Sequence, residues 1–300
     1  MKKNLLYYLA FSFPLLFFRI GMLRHTDPVT GYYLGDASVL CVILLCVLIL
    51  FSASFWYMTK RTSDKDLPGL PLRILPAHQP VLYATCALSV LQCVTAVRSA
   101  GGYSRIQTVL LVLFLLFHVL AAAGLFSAAR GLSSRNETLT DLLAVSPAAA
   151  FSLEMLLRYA ARPINVHDSV SILRMLCAAA LAVGWLRAAS FLLTGNKPHY
   201  AVSAGFSLFA FLAAVPLQLP ELFFLKGSDM FRFTAECLFH AFSSVSLLIL
   251  LYSSSGVVPE GPKKIFHAAE EENSEPLSAE EIYRTFLGTE NGEDGPDEEV

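Results

Sequence analysis

The chain has 300 residues, 55% of them hydrophobic and 15% charged, with a formal net charge of −2. That balance leaves too little polar surface for a soluble domain and no basic stripe for nucleic acid. Six cysteines without a Cys-x-x-Cys pair, and no phosphate-binding glycine loop, give no reason to expect a metal or another cofactor.

About 20 mostly apolar residues carry a helix across about 30 Å of hydrocarbon. Eight segments reach that length: Leu5–Leu23, Ala37–Met58, Val81–Val97, Gln107–Ala128, Thr140–Arg158, Asp168–Leu193, Tyr200–Leu219 and Phe233–Ser253. Their continuous runs lack the alternation of a barrel, and lipid cannot satisfy an open backbone. The predicted fold is an all-α, polytopic membrane helix bundle with eight transmembrane helices over residues 1–255. Met1-Lys2-Lys3 ahead of Leu5–Phe18 resembles a signal peptide. Arg19 stands where a small-residue cleavage site would be needed, so a retained first helix is expected. The fifth segment is the least apolar, interrupted by Pro147 and carrying Glu154 and Arg158.

Basic residues favour the cytoplasmic side of short loops. With the N-terminus inside, 11 Lys and Arg fall in inner segments and 6 in outer ones, which predicts both termini in the cytoplasm of a plasma membrane. The connection Thr59–Pro80 carries Pro68, Pro71, Pro76 and Pro80, which oppose a regular helix. Its Lys65 and Arg73 suit anionic headgroups.

Residues 256–300 form an acidic tail. They hold 13 Asp or Glu against Lys263, Lys264 and Arg284, a net −10 that leaves +8 for the rest of the chain. Such a segment is expected to be mostly disordered. Ser278-Ala-Glu-Glu281 has the spacing of a capping box, and Ile282, Tyr283, Phe286 and Leu287 make one apolar stripe on a helix near 279–287. A helix so short needs a surface to rest on, such as a cytosolic protein partner.

Charges inside a membrane are costly, so they face protein or water. Glu154 with Arg158, and Glu236 with His240, stand four residues apart and share a helix face. With Arg174, and with Gln218 and Glu221 at the proline-broken end of the seventh segment, they are expected at one level on the outer side. The group reads either as an outward-facing cavity for a small charged or zwitterionic ligand, or as a salt-bridge network knitting helices together. In the first case the arginines hold a carboxylate or phosphate, and Glu236 with His240 carries a proton. His118, mid-way along the fourth segment, is either a neutral imidazole bonded to a neighbouring helix or a proton relay.

No catalytic residue is assigned. Glu154-x-x-x-Arg158 and Phe114-x-x-x-His118 echo parts of the signature of intramembrane CAAX-type proteases. Leu153 replaces that family's first glutamate, and the two motifs stand in the reverse order, so an enzyme of that kind is a poor fit.

The loop Asp27-Pro28-Val29-Thr30-Gly31-Tyr32-Tyr33 and the Ala/Leu-rich bundle resemble uncharacterised multi-pass membrane proteins of anaerobic Gram-positive bacteria. The resemblance covers about the first 255 residues. It implies a bacterial plasma-membrane address and brings no known activity. Beside the lipid bilayer, the expected partners are a small charged ligand at the polar cluster or, for a scaffold or signalling subunit, a cytosolic protein at the tail.

Overall fold

Among the described residues eight α-helices follow one another: α1 (Ser12–Leu23), α2 (Ala37–Ser63), α3 (Gln79–Arg98), α4 (Arg105–Ala129), α5 (Glu137–Ala161), α6 (Ser169–Thr194), α7 (Lys197–Leu212) and α8 (Ser228–Ser254). They belong to a computed structural model that describes residues 10, 12–25, 37–63, 74, 76–130, 137–161, 169–194, 197–223 and 228–254. No strand occurs among the described residues. By contacts the chain divides into Met1–Val258 and Pro259–Val300. The tail stripe of Ile282, Tyr283, Phe286 and Leu287, and the loop 27–33, lie outside the described residues.

Among the described residues six stretches are long and apolar enough to cross a membrane: Val42–Arg61, Pro76–Arg98, Arg105–Ala129, Ile172–Leu192, Pro198–Leu222 and Met230–Ser253. The sequence predicts eight. The described part of α1 has 12 residues, about 18 Å at 1.5 Å per residue, and is too short. At 25 residues α5 is long enough, but it carries Glu137, Asp141, Glu154 and Arg158.

Several ends differ from expectation. Thr59 is buried and Lys60 and Arg61 suit a helix C-terminus, so α2 continues past Met58 to Ser63. At the other end of the same connection, Pro76–His78 forms a 3₁₀ turn that leads into α3. Pro80 falls in the first turn of α3, where its missing N–H leaves no bond unmade. Pro147 stays inside α5 without ending it.

One outer helix, α3, is polar inward and apolar outward, the inverse of a soluble amphipathic helix. On α3 the buried side is Leu82, Thr85, Ser89, Gln92 and Thr95, while Val90, Val94 and Val97 stand exposed. Burial separates centre from rim. In the apolar stretches of α7 and α8, 72% of the residues are buried, against 28% in α2 and α3 and 33% in α4. Around that central pair, α3 to α6 pack as successive neighbours, α2 lies on α7, and α8 closes against α3, α6 and α7.

Small polar side chains stitch the centre together. Ser207 Oγ donates to the Ser244 carbonyl at 2.6 Å, and Ser203 Oγ to that of Gly184 at 2.8 Å. Thr85 Oγ1 and Ser246 Oγ are 2.7 Å apart between α3 and α8. The thiols of Cys177 and Cys237 donate to the carbonyls of Ala210 on α7 and of Ala214 just beyond its end. In an apolar surround these short donors take the place of a hydrophobic driving force between helices.

Candidate functional site

The end of α7 is the first irregular element. Pro216 has no N–H to give the carbonyl of Leu212, and its ring crowds that carbonyl. The chain widens there into a π-helical turn, Ala213–Gln218, then tightens into a 3₁₀ turn, Leu219–Phe223. Arg19 of α1 answers the opened backbone: its Nε donates to the Leu217 carbonyl at 3.1 Å. Its Nη2 forms an ion pair with Glu221 Oε1 at 2.5 Å, and the two side chains are 0% and 5% exposed. Gln218 is fully buried, and neither its Nε2 nor its Oε1 has a hydrogen-bond partner among the described residues.

Helices α5, α6 and α8 build a second, larger cluster. On α5, Arg158 donates to Glu154 Oε1 through Nε at 3.0 Å and Nη2 at 2.7 Å. That Nη2 also lies 3.1 Å from Glu236 Oε2 on α8. Arg174 of α6 brings Nη1 to 3.2 Å from the same oxygen and lays its guanidinium over the Phe233 ring, 4.2 Å from the centroid. Arg232, one turn before Glu236, donates from Nε to Oε1 at 3.1 Å. His240, one turn after it, sets Nε2 3.0 Å from Glu154 Oε1. Three arginines thus face two glutamates, and both carboxylates are at most 7% exposed. With His240 neutral the cluster carries one positive charge in excess.

A cleft of about 50 Å³ opens onto this cluster between α3, α4, α5 and α8. Glu154, Arg158, Arg232 and Glu236 form its charged wall, and Gln92, Thr95 and Tyr103 face them. The α3–α4 turn, with Gly102 at φ 88°, carries Tyr103 to the cleft. A reciprocal capping box fixes the start of α4: Gln107 N donates to Ser104 Oγ at 3.4 Å, and Ser104 N to Gln107 Oε1 at 2.7 Å. Gln107 Nε2 then donates to the Ala160 carbonyl at 2.6 Å, tying that turn to the end of α5. Glu154 Oε2 and Gln92 Nε2 are buried without a hydrogen-bond partner among the described residues. The volume holds one or two water-sized groups and no metabolite.

His118 stands apart in an aromatic box. Its ring lies 3.9 Å from that of Phe114, 5.5 Å from Phe239 and 6.5 Å from Phe151. Its Nδ1 is 3.0 Å from the Phe114 carbonyl on its own helix, in place of the expected bond to a neighbouring one. Neither His118 nor His240 lines the cleft.

Of the residues singled out from sequence, Glu154, Arg158, Arg174, Glu236 and His240 share one cluster. Glu221 pairs with Arg19, and Gln218 sits buried beside that pair. Sequence reasoning missed Arg19, Arg232, Gln92 and Thr95. The α3 pair was visible as a signal: Thr85, Ser89, Gln92 and Thr95 recur at helical spacing through an apolar segment. No group of three metal-binding side chains occurs among the described residues. No protein-family model, curated protein or solved structure matches this chain.

Proposed function

We propose that this chain is a polytopic membrane protein that binds a small anion, or the anionic end of a zwitterion, at the cleft of α3, α5 and α8. The observation that carries this reading is the excess of arginine around Glu236: Arg158, Arg174 and Arg232 converge on one carboxylate at the wall of an open cleft. An entering carboxylate, phosphate or halide competes with Glu236 for those guanidinium groups. A proton taken up by Glu236 releases them, and anion plus proton leave the charge of the site unchanged. Charge conservation matters most in a low-dielectric surround, where a net buried charge is costly. A ligand larger than a few atoms enters by displacing Arg232, which is 43% exposed at the mouth.

The topology belongs to the same proposal. At 25 residues α5 is about 37 Å long and packs between α4 and α6, which supports its crossing the membrane despite its charges. Two of those charges, Glu154 and Arg158, are paired with each other. Arg19 is likewise paired, which supports α1 as an eighth crossing. The basic residues favour both termini in the cytoplasm, with the cleft outside.

Thermal unfolding in nanodiscs against inorganic anions, carboxylates, phosphates and zwitterions tests the reading, because a ligand of the folded state raises the melting temperature. We expect an anion to stabilise the wild type more at low pH than at high pH. Arg232→Gln should weaken that response and Glu236→Gln should make it independent of pH. No stabilisation by any anion or zwitterion would make the cluster a structural network, a role its close pairing also suits. A scaffold acting through the tail is the second reading, supported by the charge division of −10 against +8. Removing residues 256–300 separates the two, since the anion response survives only if the cleft carries it.

A further inference from the structure

A second concavity lies elsewhere, between α2, α6 and α7. It is an apolar groove of about 480 Å³, walled by Ile49, Trp56, Val183, Val202 and Phe206. Gly205 forms part of it, and the missing side chain there lets α7 approach Trp56 closely. Trp56 and Phe206 remain 38% and 37% exposed, so the groove opens sideways to whatever solvates the bundle. An apolar cavity of about 150 Å³ takes one benzene, so this groove has room for about three such volumes, the bulk of a single acyl chain.

One end of the groove is basic on all three helices. Lys60 stands four residues after Trp56, and its Nζ lies 5.9 Å from the centroid of the Trp56 ring. Arg187 stands four residues after Val183 on α6, and His199 three residues before Val202 on α7; these spacings keep each on the groove face. Arg187 Nη1 is 3.3 Å from His199 Nδ1, so the guanidinium meets an imidazole and not a carboxylate. Lys60 and Arg187 are both exposed. An apolar slot that ends in a basic rim matches an acyl chain joined to a phosphate in both chemistry and volume.

We infer that the α2–α6–α7 groove is a binding site for a single anionic phospholipid, with one acyl chain against Trp56 and Phe206 and the headgroup phosphate on Lys60, Arg187 and His199. The occupant comes from the leaflet on the side of the bundle where α2 and α6 end and α7 begins. This site is separate from the anion cleft and needs only that the six apolar helices lie in a membrane.

The chain holds two tryptophans, Trp56 and Trp185, so Trp185→Phe leaves the groove residue as the only one. The full chain with that change is placed in phosphatidylcholine vesicles. A minor fraction of the lipid is phosphatidylglycerol, or phosphatidylcholine, brominated near the middle of its acyl chains. The anionic brominated lipid should quench Trp56 more strongly than the zwitterionic one at equal fraction. Adding Lys60→Gln and Arg187→Gln should remove that preference, lowering relative affinity about thirty-fold on the ordinary attraction between basic side chains and anionic headgroups. Native mass spectrometry of the unmodified chain, which does not depend on Trp185→Phe folding, should retain one phosphatidylglycerol and lose it in the double variant. Equal quenching by the two lipids would overturn the site and leave an ordinary solvating belt. A preference that survives the double variant, or a dimer that shields Trp56 from both lipids, would overturn it as well.

Discussion

Arg19 and Glu221, 202 residues apart in sequence, form an ion pair that is almost sealed from solvent. It joins α1 to the broken end of α7, and the same guanidinium caps the Leu217 carbonyl. Removing one member of such a pair leaves a buried charge without its counter-ion, which costs about 3–5 kcal/mol. Glu221→Gln should therefore lower the melting temperature in nanodiscs sharply. Arg19→Met with Glu221→Leu should recover more than half of the loss, since replacing both charges removes the orphan. A double variant as unstable as the single one would show that Arg19 acts mainly through the Leu217 carbonyl.

Around Glu236 the three arginines should not weigh equally. Arg174 and Arg158 have side chains 19% exposed, while Arg232 is 43% exposed. Exposed pairs contribute about 0–1 kcal/mol. Arg232→Gln is expected to leave the unfolding midpoint nearly unchanged, whereas Arg174→Gln costs clearly more and also forfeits its stacking on Phe233. Comparable midpoint shifts for the two variants would contradict this ordering.

The box around His118 makes a further distinction. The ring packs on Phe114, Phe151 and Phe239, and its Nε2 makes no hydrogen bond among the described residues. His118→Phe keeps shape and loses one bond to the Phe114 carbonyl, so the change in stability should stay under about 1.5 kcal/mol, as for other near-isosteric core swaps. The anion response should persist in that variant. Its disappearance, with folding intact, would assign His118 a place in proton movement.

Two glycines at helix crossings give a matched pair of tests. A methyl at Gly184 would meet the end of a flexible side chain, Leu247 Cδ2, at 3.0 Å. At Gly205 it would meet Trp56 Cβ at 3.0 Å and the Ser52 carbonyl at 3.4 Å, atoms fixed to the α2 backbone. Overpacking costs about 1–3 kcal/mol where the surround cannot yield. Gly205→Ala should sit in that range and Gly184→Ala below it, measured by thermal unfolding. The reverse ranking would mean that α2 moves more freely on α7 than the contact implies.

Much of the cluster was legible in the sequence, because spacing on one helix is a local property. Glu154 with Arg158 and Glu236 with His240 follow from a four-residue interval, and the break in α7 from Pro216. Contacts between helices were harder to read. Whether Glu221 turns to Arg19 or toward Arg174 depends on how α1 and α7 are rotated about their axes, which hydropathy does not encode. Arg232 falls just before the predicted segment Phe233–Ser253, whereas α8 begins at Ser228 and takes it in. The sequence reads α5 as a crossing, whereas by length and composition it is not among the six apolar stretches, because it carries Glu137, Asp141, Glu154 and Arg158.

The position of Glu236 on α8, after all the other described helices, has a consequence for how the protein is made. Arg174 enters with α6, yet the carboxylate it pairs with lies on α8, near the end of the bundle's sequence. During synthesis, which proceeds from the N-terminus, α6 is made before residues 228–254, which carry that partner. Insertion of α8 supplies the counter-charge and brings this helix against α3, α6 and α7 together. A chain cut short before Ser228 lacks both the carboxylate that Arg174 pairs with and the Phe233 ring it stacks on.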